Sequence, residues 1–236
     1  MPPDLLRGEG RPFRIGHRGA AALAPENTLA AFEAAIDAGV DGVEFDVVAT
    51  VDGLEVAHAL GAPDAPALDE ALEFFAQHDV TVHVDLKGTG REKELVDALR
   101  RHDLGDRALV SSFRARSLLA LARLAPELPR AFTYPEDRLG LSRRRPFAFA
   151  IRSGLSTMRA LLPRRIVAMM TRAGASAATL HHQLVTRRAV EVCHAHGAAV
   201  WAWTVNDRAT AADLETLGVD AIITDDPRIF RGRLSE

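Results

Sequence analysis

A single cysteine, Cys193, stands in the 236 residues, so no intrachain disulfide can form and a reducing compartment is expected. Long apolar runs are absent too. No stretch approaches the roughly 18 residues of a membrane-spanning helix. The opening residues, MPPDLLRGEGRPF, lack the apolar centre of a secretion signal. A cytoplasmic location is therefore expected. Excess charge is also missing: the formal net charge is -3, which gives no global attraction to nucleic acid. Neither an aromatic platform nor a nucleic-acid-reading motif is present. No internal repeat and no break in composition divides the chain. What remains is an ordinary soluble composition, 47% hydrophobic, at a length that suits one α/β barrel.

Strand and helix signals alternate along the whole chain. Residues 1–12, rich in proline and glycine, read as a loose arm. Phe13–His17 reads as a strand, and Asn27 or Thr28 can cap the helix that follows. Leu29, Phe32, Ala35 and Ile36 give that helix its apolar stripe, and Gly39 ends it. Further strands are expected at Val43–Ala49, Val80–Lys87, Ala108–Phe113, Arg130–Tyr134, Ala175–Leu180, Ala198–Thr204 and Ala221–Thr224. Helices are expected at Leu68–His78, Glu92–His102, up to about Ala125, Arg187–His196 and Thr210–Leu217. Residues 135–173 are less regular, with at least one helix. Eight alternations favour one parallel TIM (β/α)8 barrel over 13–236 rather than two domains.

The period of two in the strands selects the chemistry. Glu44 and Asp46 share one face of their strand, against Val43, Phe45 and Val47 on the other. Two carboxylates side by side repel unless a cation lies between them, and a divalent ion is the simplest choice. Thr81, His83, Asp85 and Lys87 likewise share a face. Barrel enzymes work at the C-terminal ends of their strands, where His17, Glu44, Asp46, Asp85, Lys87, Trp203 and Thr224 are expected. Glu44, Asp46 and Asp85 can then converge on one hard cation, Mg²⁺ or Ca²⁺; without a thiolate, zinc fits less well. His17 and His58 are suited to moving protons near neutral pH. Arg18 and Lys87 can neutralise a bound anion. His83 is expected to fill the barrel interior, and Cys193 to lie in the core. The adjacent His181 and His182 are expected at the surface, facing opposite ways.

Five ordered pieces, His17-Arg18-Gly19, Glu26-Asn27-Thr28, Glu44-Phe45-Asp46, Thr50-Val51-Asp52-Gly53 and His58, resemble the signature of the glycerophosphodiester phosphodiesterase family. Val110-Ser111-Ser112-Phe113, Trp203-Thr204-Val205-Asn206 and Gly218 to Asp225 extend the resemblance over nearly the whole chain. The resemblance implies a metal-dependent hydrolase that converts glycerophosphodiesters to an alcohol and sn-glycerol 3-phosphate. It implies His17 as proton acceptor and His58 as proton donor; the residues themselves add the expectations of metal ligation by Glu44, Asp46 and Asp85, of substrate phosphate contacts from Arg18 and Lys87, and of Trp203 as either a core plug or a wall of the substrate's glycerol pocket. Three departures stand out. Ala59 follows His58 where the family usually has Asp, Asp85 stands where it usually has Glu, and the insertion after the second strand is trimmed.

A basic stretch adds a further expectation. Residues 138–190 hold eleven arginines and no Asp, Glu or Lys. Apolar residues between the arginines fit either a crossover helix packed on the barrel or a peripheral contact with an anionic membrane through 138–172. A membrane contact would favour a lysophospholipase D-like enzyme. A catalytically impaired barrel that only binds phosphate or lipid is the third reading.

Overall fold

The computed structural model describes residues 5–7, 10–58, 65–136 and 148–231, with backbone alone over 148–154. Eight parallel strands close into a barrel: β1 (Phe13–His17), β2 (Gly42–Ala49), β4 (Thr81–Lys87), β5 (Ala108–Ser112), β6 (Arg130–Tyr134), β7 (Ala177–His181), β8 (Ala199–Trp203) and β9 (Ala221–Thr224). β1 pairs with both β2 and β9, which completes the circle. The expected (β/α)8 architecture is therefore present. The connecting helices are α1 (Leu29–Asp37), α2 (Leu68–Ala76), α3 (Glu92–Arg101), α4 (Ala115–Leu124), α5 (Ala148–Ala173), α6 (Arg187–His194) and α7 (Arg208–Leu217). After β9 the described chain forms only a short 3₁₀ helix, Pro227–Phe230.

One strand is additional to the sequence reading. β3 (Leu54–Val56) folds back antiparallel on the end of β2, pairing Val47 with Val56 and Ala49 with Leu54. The turn between them is built by Thr50, whose Oγ accepts the backbone N–H groups of Asp52 and Gly53 at 3.2 and 3.1 Å. Gly53 has φ of 152°, a conformation that favours glycine. Most of the linker that follows, expected to be trimmed, lies at residues 59–64, outside the described residues.

The outer faces of β2 and β4 pack on helices. Phe45 stacks on Phe75 of α2 at 5.3 Å between ring centroids, and Phe32 of α1 lies 4.9 Å from Phe75. All three rings are fully buried, each worth about 1.5–3 kcal/mol in transfer from water. This packing fixes which face of β2 looks inward, so Glu44 and Asp46 have nowhere to point but the lumen.

The lumen is layered. At its base Trp201 packs with Ile15, Leu109 and Ile223, and Leu5 joins the same cluster. The Trp201 indole N–H donates to the Leu5 carbonyl at 3.3 Å, and the Arg7 N–H donates to Asp220 at 3.1 Å. Where it is described, the arm is thus docked under the barrel rather than loose. Above lie His83, Ser111, Thr133 and Thr179, the last donating to Thr133 at 2.7 Å. The carboxylates crown the stack.

The basic segment contains one long helix, α5, in spite of Pro163 in its interior. Leu162, Ile166, Met170 and Ala173 are buried against the barrel wall, whereas Arg159, Arg164, Arg165 and Arg172 are exposed. Residues 138–147 of the expected membrane contact lie outside the described residues.

Candidate active site

Each side chain at the barrel mouth is placed by a short-range device. At the end of β1, Arg18 has a left-handed φ of 52° and Gly19 one of 84°. This turn lets the Arg18 N–H donate to Glu44 Oε2 at 2.9 Å and the Gly19 N–H donate to the Glu44 carbonyl at 3.1 Å. Thr28 caps α1, its hydroxyl accepting the Ala31 N–H at 3.2 Å. Asn27, left-handed at φ 59°, is thereby free for another task. Its Oδ1 accepts the Asp46 N–H at 3.0 Å and its Nδ2 donates to Asp46 Oδ2 at 3.4 Å. The β2–β3 hairpin returns the chain so that His58 Nδ1 lies 3.0 Å from Asp46 Oδ2.

Register then gathers the acids. Asp46 is level with Asp85 across the β2–β4 pair, and Glu44 with His83. Glu44, Asp46 and Asp85 are buried, and each offers a carboxylate oxygen within 4.8 Å of the others'. Among the described residues this is the one cluster with metal-binding geometry. Three hard oxygen donors, buried and converging, suit Mg²⁺ or Ca²⁺. Burial, with Asp46 and Asp85 nearby, pushes the Glu44 carboxyl up to about 7 in spite of His17. Such a group gains most from an added cation.

Positive side chains surround the acids. Lys87 Nζ lies 2.9 Å from Asp46 Oδ1 and also contacts Asp85 Oδ2. Arg18 places Nε 3.0 Å from Asp46 Oδ2 as a charge contact and Nη1 2.6 Å from Glu26. Burial alone would raise the Asp46 pKa, but Lys87, the His58 hydrogen bond and Arg18 outweigh it and hold the carboxylate ionised. Burial would lower the Lys87 pKa, and Asp85, Asp46 and Glu44 reverse that too.

The two histidines differ in their anchors. His17 Nδ1 lies 2.6 Å from Asp225 Oδ1, and its Nε2 lies 3.9 Å from Glu44 Oε2. Burial opposes its protonation, but Glu44 and Asp225 together shift its pKa upward. Asp225 is held in turn by Asn206, whose Nδ2 donates to Asp225 Oδ2 at 2.6 Å. Asn206 Oδ1 accepts the Asp225 N–H at 3.0 Å and the Thr224 hydroxyl at 3.3 Å.

A cavity of about 570 Å³ opens over this array, lined among others by His17, Arg18, Glu44, His58, Asp85, Lys87 and Trp203. The eight side chains given catalytic, metal or substrate roles from the sequence thus meet at one mouth, with Asp46 just beneath the lining. Thr224 does not line it; its hydroxyl turns to Asn206. His83 fills the interior as expected, its Nε2 2.8 Å from Ser111 Oγ, and burial pushes its pKa down to about 3. Ser111 in turn donates to Asp85 at 2.8 Å. His181 and His182 do not face opposite ways: the chain leaves β7 at His181, so the rings stack at 4.5 Å, with His181 edge-on to Trp203. Phe113, Thr133, Pro135, Glu136 and Thr179 also line the cavity. Asn27, Asn206 and Asp225 were not assigned to the site from sequence, although all three lie inside the quoted motifs.

The family model described as the glycerophosphoryl diester phosphodiesterase family matches residues 17–59 and 66–229. A glycerophosphodiester phosphodiesterase of Caldanaerobacter subterraneus subsp. tengcongensis is 27% identical over 254 residues, covering 90% of this chain and 93% of that protein. A solved phosphodiesterase of Oleispira antarctica, in complex with the product sn-glycerol-3-phosphate, superposes with a TM-score of 0.69 at 25% identity, covering 92% of this chain and 94% of that one. A glycerophosphodiester phosphodiesterase of Parabacteroides distasonis, at 21% identity and TM-score 0.72 over 94% of this chain and 95% of that one, shares the fold.

Proposed function

The chain belongs to the glycerophosphoryl diester phosphodiesterase family, and from that premise we propose that it hydrolyses glycerophosphodiesters to an alcohol and sn-glycerol 3-phosphate with His17 and His58 as the proton-transfer pair. The observation that carries this reading is the meeting of two carboxylate-anchored imidazoles with three buried acids at one cavity. The product held by the Oleispira antarctica relative supports the identity of the phosphate-bearing half.

Glu44, Asp46 and Asp85 would hold one divalent cation, Mg²⁺ or Ca²⁺, which neutralises charge on the phosphodiester when bound. Arg18 and Lys87 supply the positive charge of the protein itself toward the phosphate oxygens. His17 presents Nε2 to the cavity, where it takes the proton of the attacking hydroxyl. That hydroxyl belongs either to water or to the glycerol of the substrate. His58 gives a proton to the departing alkoxide. Each such proton transfer typically contributes about 10²–10⁴-fold. Trp203, 6.1 Å from Phe113 and edge-on to it, walls the side of the cavity that takes the apolar edge of the glycerol.

The test is divalent-ion-dependent release of glycerol phosphate from glycerophosphocholine. Activity at the parent level in His17→Ala or His58→Ala would remove the assigned roles. Absence of even a single turnover would point instead to a phosphate-binding barrel. Running the assay with and without an acyl chain on the glycerol separates this enzyme from a lysophospholipase D.

The apolar residues of α5 pack on the barrel as those of a crossover helix do, and its exposed arginines leave a peripheral, purely electrostatic contact with an anionic bilayer as a second proposal. Sedimentation with anionic vesicles at low salt, released as salt rises, supports it. Equal behaviour with neutral vesicles disposes of it. No helix among the described residues is long and apolar enough to cross a membrane.

A further inference from the structure

Two motifs at the barrel mouth move no proton in the chemistry above and enter it only through the carboxylate anchor of His17: Val205-Asn206 after β8, and Thr224-Asp225 at the end of β9. They meet behind His17. We propose that Asn206 and Asp225 are positioning residues that fix both the ring orientation and the tautomer of His17. The proposal rests on the reading of His17 as proton acceptor.

The donor and acceptor roles follow one from another. The backbone N–H of Asp225 can only donate, and it meets Asn206 Oδ1 at 3.0 Å. The Thr224 hydroxyl reaches the same oxygen at 3.3 Å. The Asn206 amide therefore has a single orientation, with Nδ2 toward Asp225 Oδ2 at 2.6 Å. That bond leaves Asp225 Oδ1 as an acceptor 2.6 Å from His17 Nδ1. An ionised carboxylate accepts only, so His17 carries its proton on Nδ1. The lone pair is then on Nε2, the nitrogen turned toward Glu44 and the cavity. The opposite tautomer would present an N–H there and could not take a proton. The same geometry favours the imidazolium once it forms, because the carboxylate stays beside Nδ1.

The polarity of this chain makes a specific exchange informative. In Asp225→Asn, the Asn206 Nδ2 still needs an acceptor, so the new amide turns its oxygen to Asn206 and its NH₂ to His17. His17 Nδ1 becomes an acceptor and Nε2 gains the proton. Shape is preserved and the tautomer is inverted. Adding Asn206→Asp reverses the first bond: the carboxylate introduced at position 206 accepts from the new amide, whose oxygen returns to His17 Nδ1–H. That carboxylate still accepts the N–H of residue 225 and the Thr224 hydroxyl.

The experiment uses the full chain with divalent ion and glycerophosphocholine, comparing the parent, H17A, D225N, N206D and D225N/N206D. Expected for D225N is a fall in kcat of about 10²-fold or more, with KM changed less than about threefold. N206D alone, with two facing carboxylates, also falls. The double variant regains at least about tenfold over D225N. Side-chain ¹⁵N NMR of His17 reads the tautomer directly: Nδ1–H in the parent and the double variant, Nε2–H in D225N. A parent His17 protonated on Nε2 overturns the proposal whether or not any variant folds. So does D225N at parent kcat while H17A is inactive, or a double variant no better than D225N. H17A at parent activity is a different result, since it removes the role of His17 itself.

Discussion

Asn27 and Asp46 grip each other twice, through Asp46 N–H to Asn27 Oδ1 at 3.0 Å and Asn27 Nδ2 to Asp46 Oδ2 at 3.4 Å. Both residues are 1% exposed, so neither bond is readily replaced by water. Asn27→Asp keeps the size and the tolerance of a left-handed backbone, but it turns a donor toward Asp46 into a second carboxylate. The variant is expected to fold, to lose about 1–3 kcal/mol of stability, and to need more divalent ion for half-maximal activity. Urea unfolding and an ion titration of the activity measure the two effects. An unchanged ion requirement would contradict the role given to Asn27.

That grip marks where sequence reading stops. The strand parity of Glu44, Asp46, Asp85 and Lys87 was legible because it is a local property with a period of two, and the structure realises it on β2 and β4. The same local logic offered Asn27 or Thr28 as the cap of α1, and Thr28 does cap it. The partner of Asn27 depends on how β1 and β2 pair, which no window around Asn27 contains. The contact of His17 with Asp225 spans 208 positions, so only the closed barrel reveals it. β3 went unread because its three residues are too few to display alternation. α5 did not read as one helix because Pro163 interrupts it and its arginines and apolar residues follow no clean stripe.

Gly19 is the tightest position of the first motif. A Cβ there would stand 2.5 Å from the backbone carbonyl atoms of Ala31 in α1, and its φ is 84°. Neither neighbour can move without shifting α1, on which Phe32 is buried. Gly19→Ala is expected to cost about 2–4 kcal/mol, combining backbone strain with overpacking. Because Arg18 and His17 lie on the same turn, the folded fraction is expected to show reduced kcat as well. A midpoint in denaturant within error of the parent would refute the clash.

Cys193 lies fully buried in α6. Burial, helped by the charge of Asp220, pushes its thiol up to about 12. A raised thiol pKa means less thiolate, so at pH 8 the reactive fraction is about 10⁻⁴. The folded protein is therefore expected to resist an aromatic disulfide reagent at pH 8 and to react fully in denaturant. Fast labelling under native conditions, at a rate independent of added denaturant, would contradict that burial.

The acid cluster makes the most demanding prediction, because stability and activity should move in opposite directions. Glu44, Asp46 and Asp85 bring carboxylate oxygens within 4.8 Å of one another, and the ion pairs of Lys87 and Arg18 within this trio go to Asp46 and Asp85. Burial first, and then the charges of Asp46 and Asp85, push the Glu44 carboxyl up to about 7. Glu44→Gln removes one charge while its amide oxygen can still accept the Arg18 N–H. In chelator, this variant is expected to melt at or above the parent temperature. Added divalent ion stabilises the parent by about 2.7 kcal/mol at a hundred times its dissociation constant. Glu44→Gln should lose most of that increment and most of its turnover. Thermal melts with and without ion, beside the glycerol phosphate assay, decide the matter. If Glu44→Gln keeps the full ion-dependent rise, the ion is held elsewhere. If it melts well below the parent in chelator, Glu44 serves the fold rather than the ion.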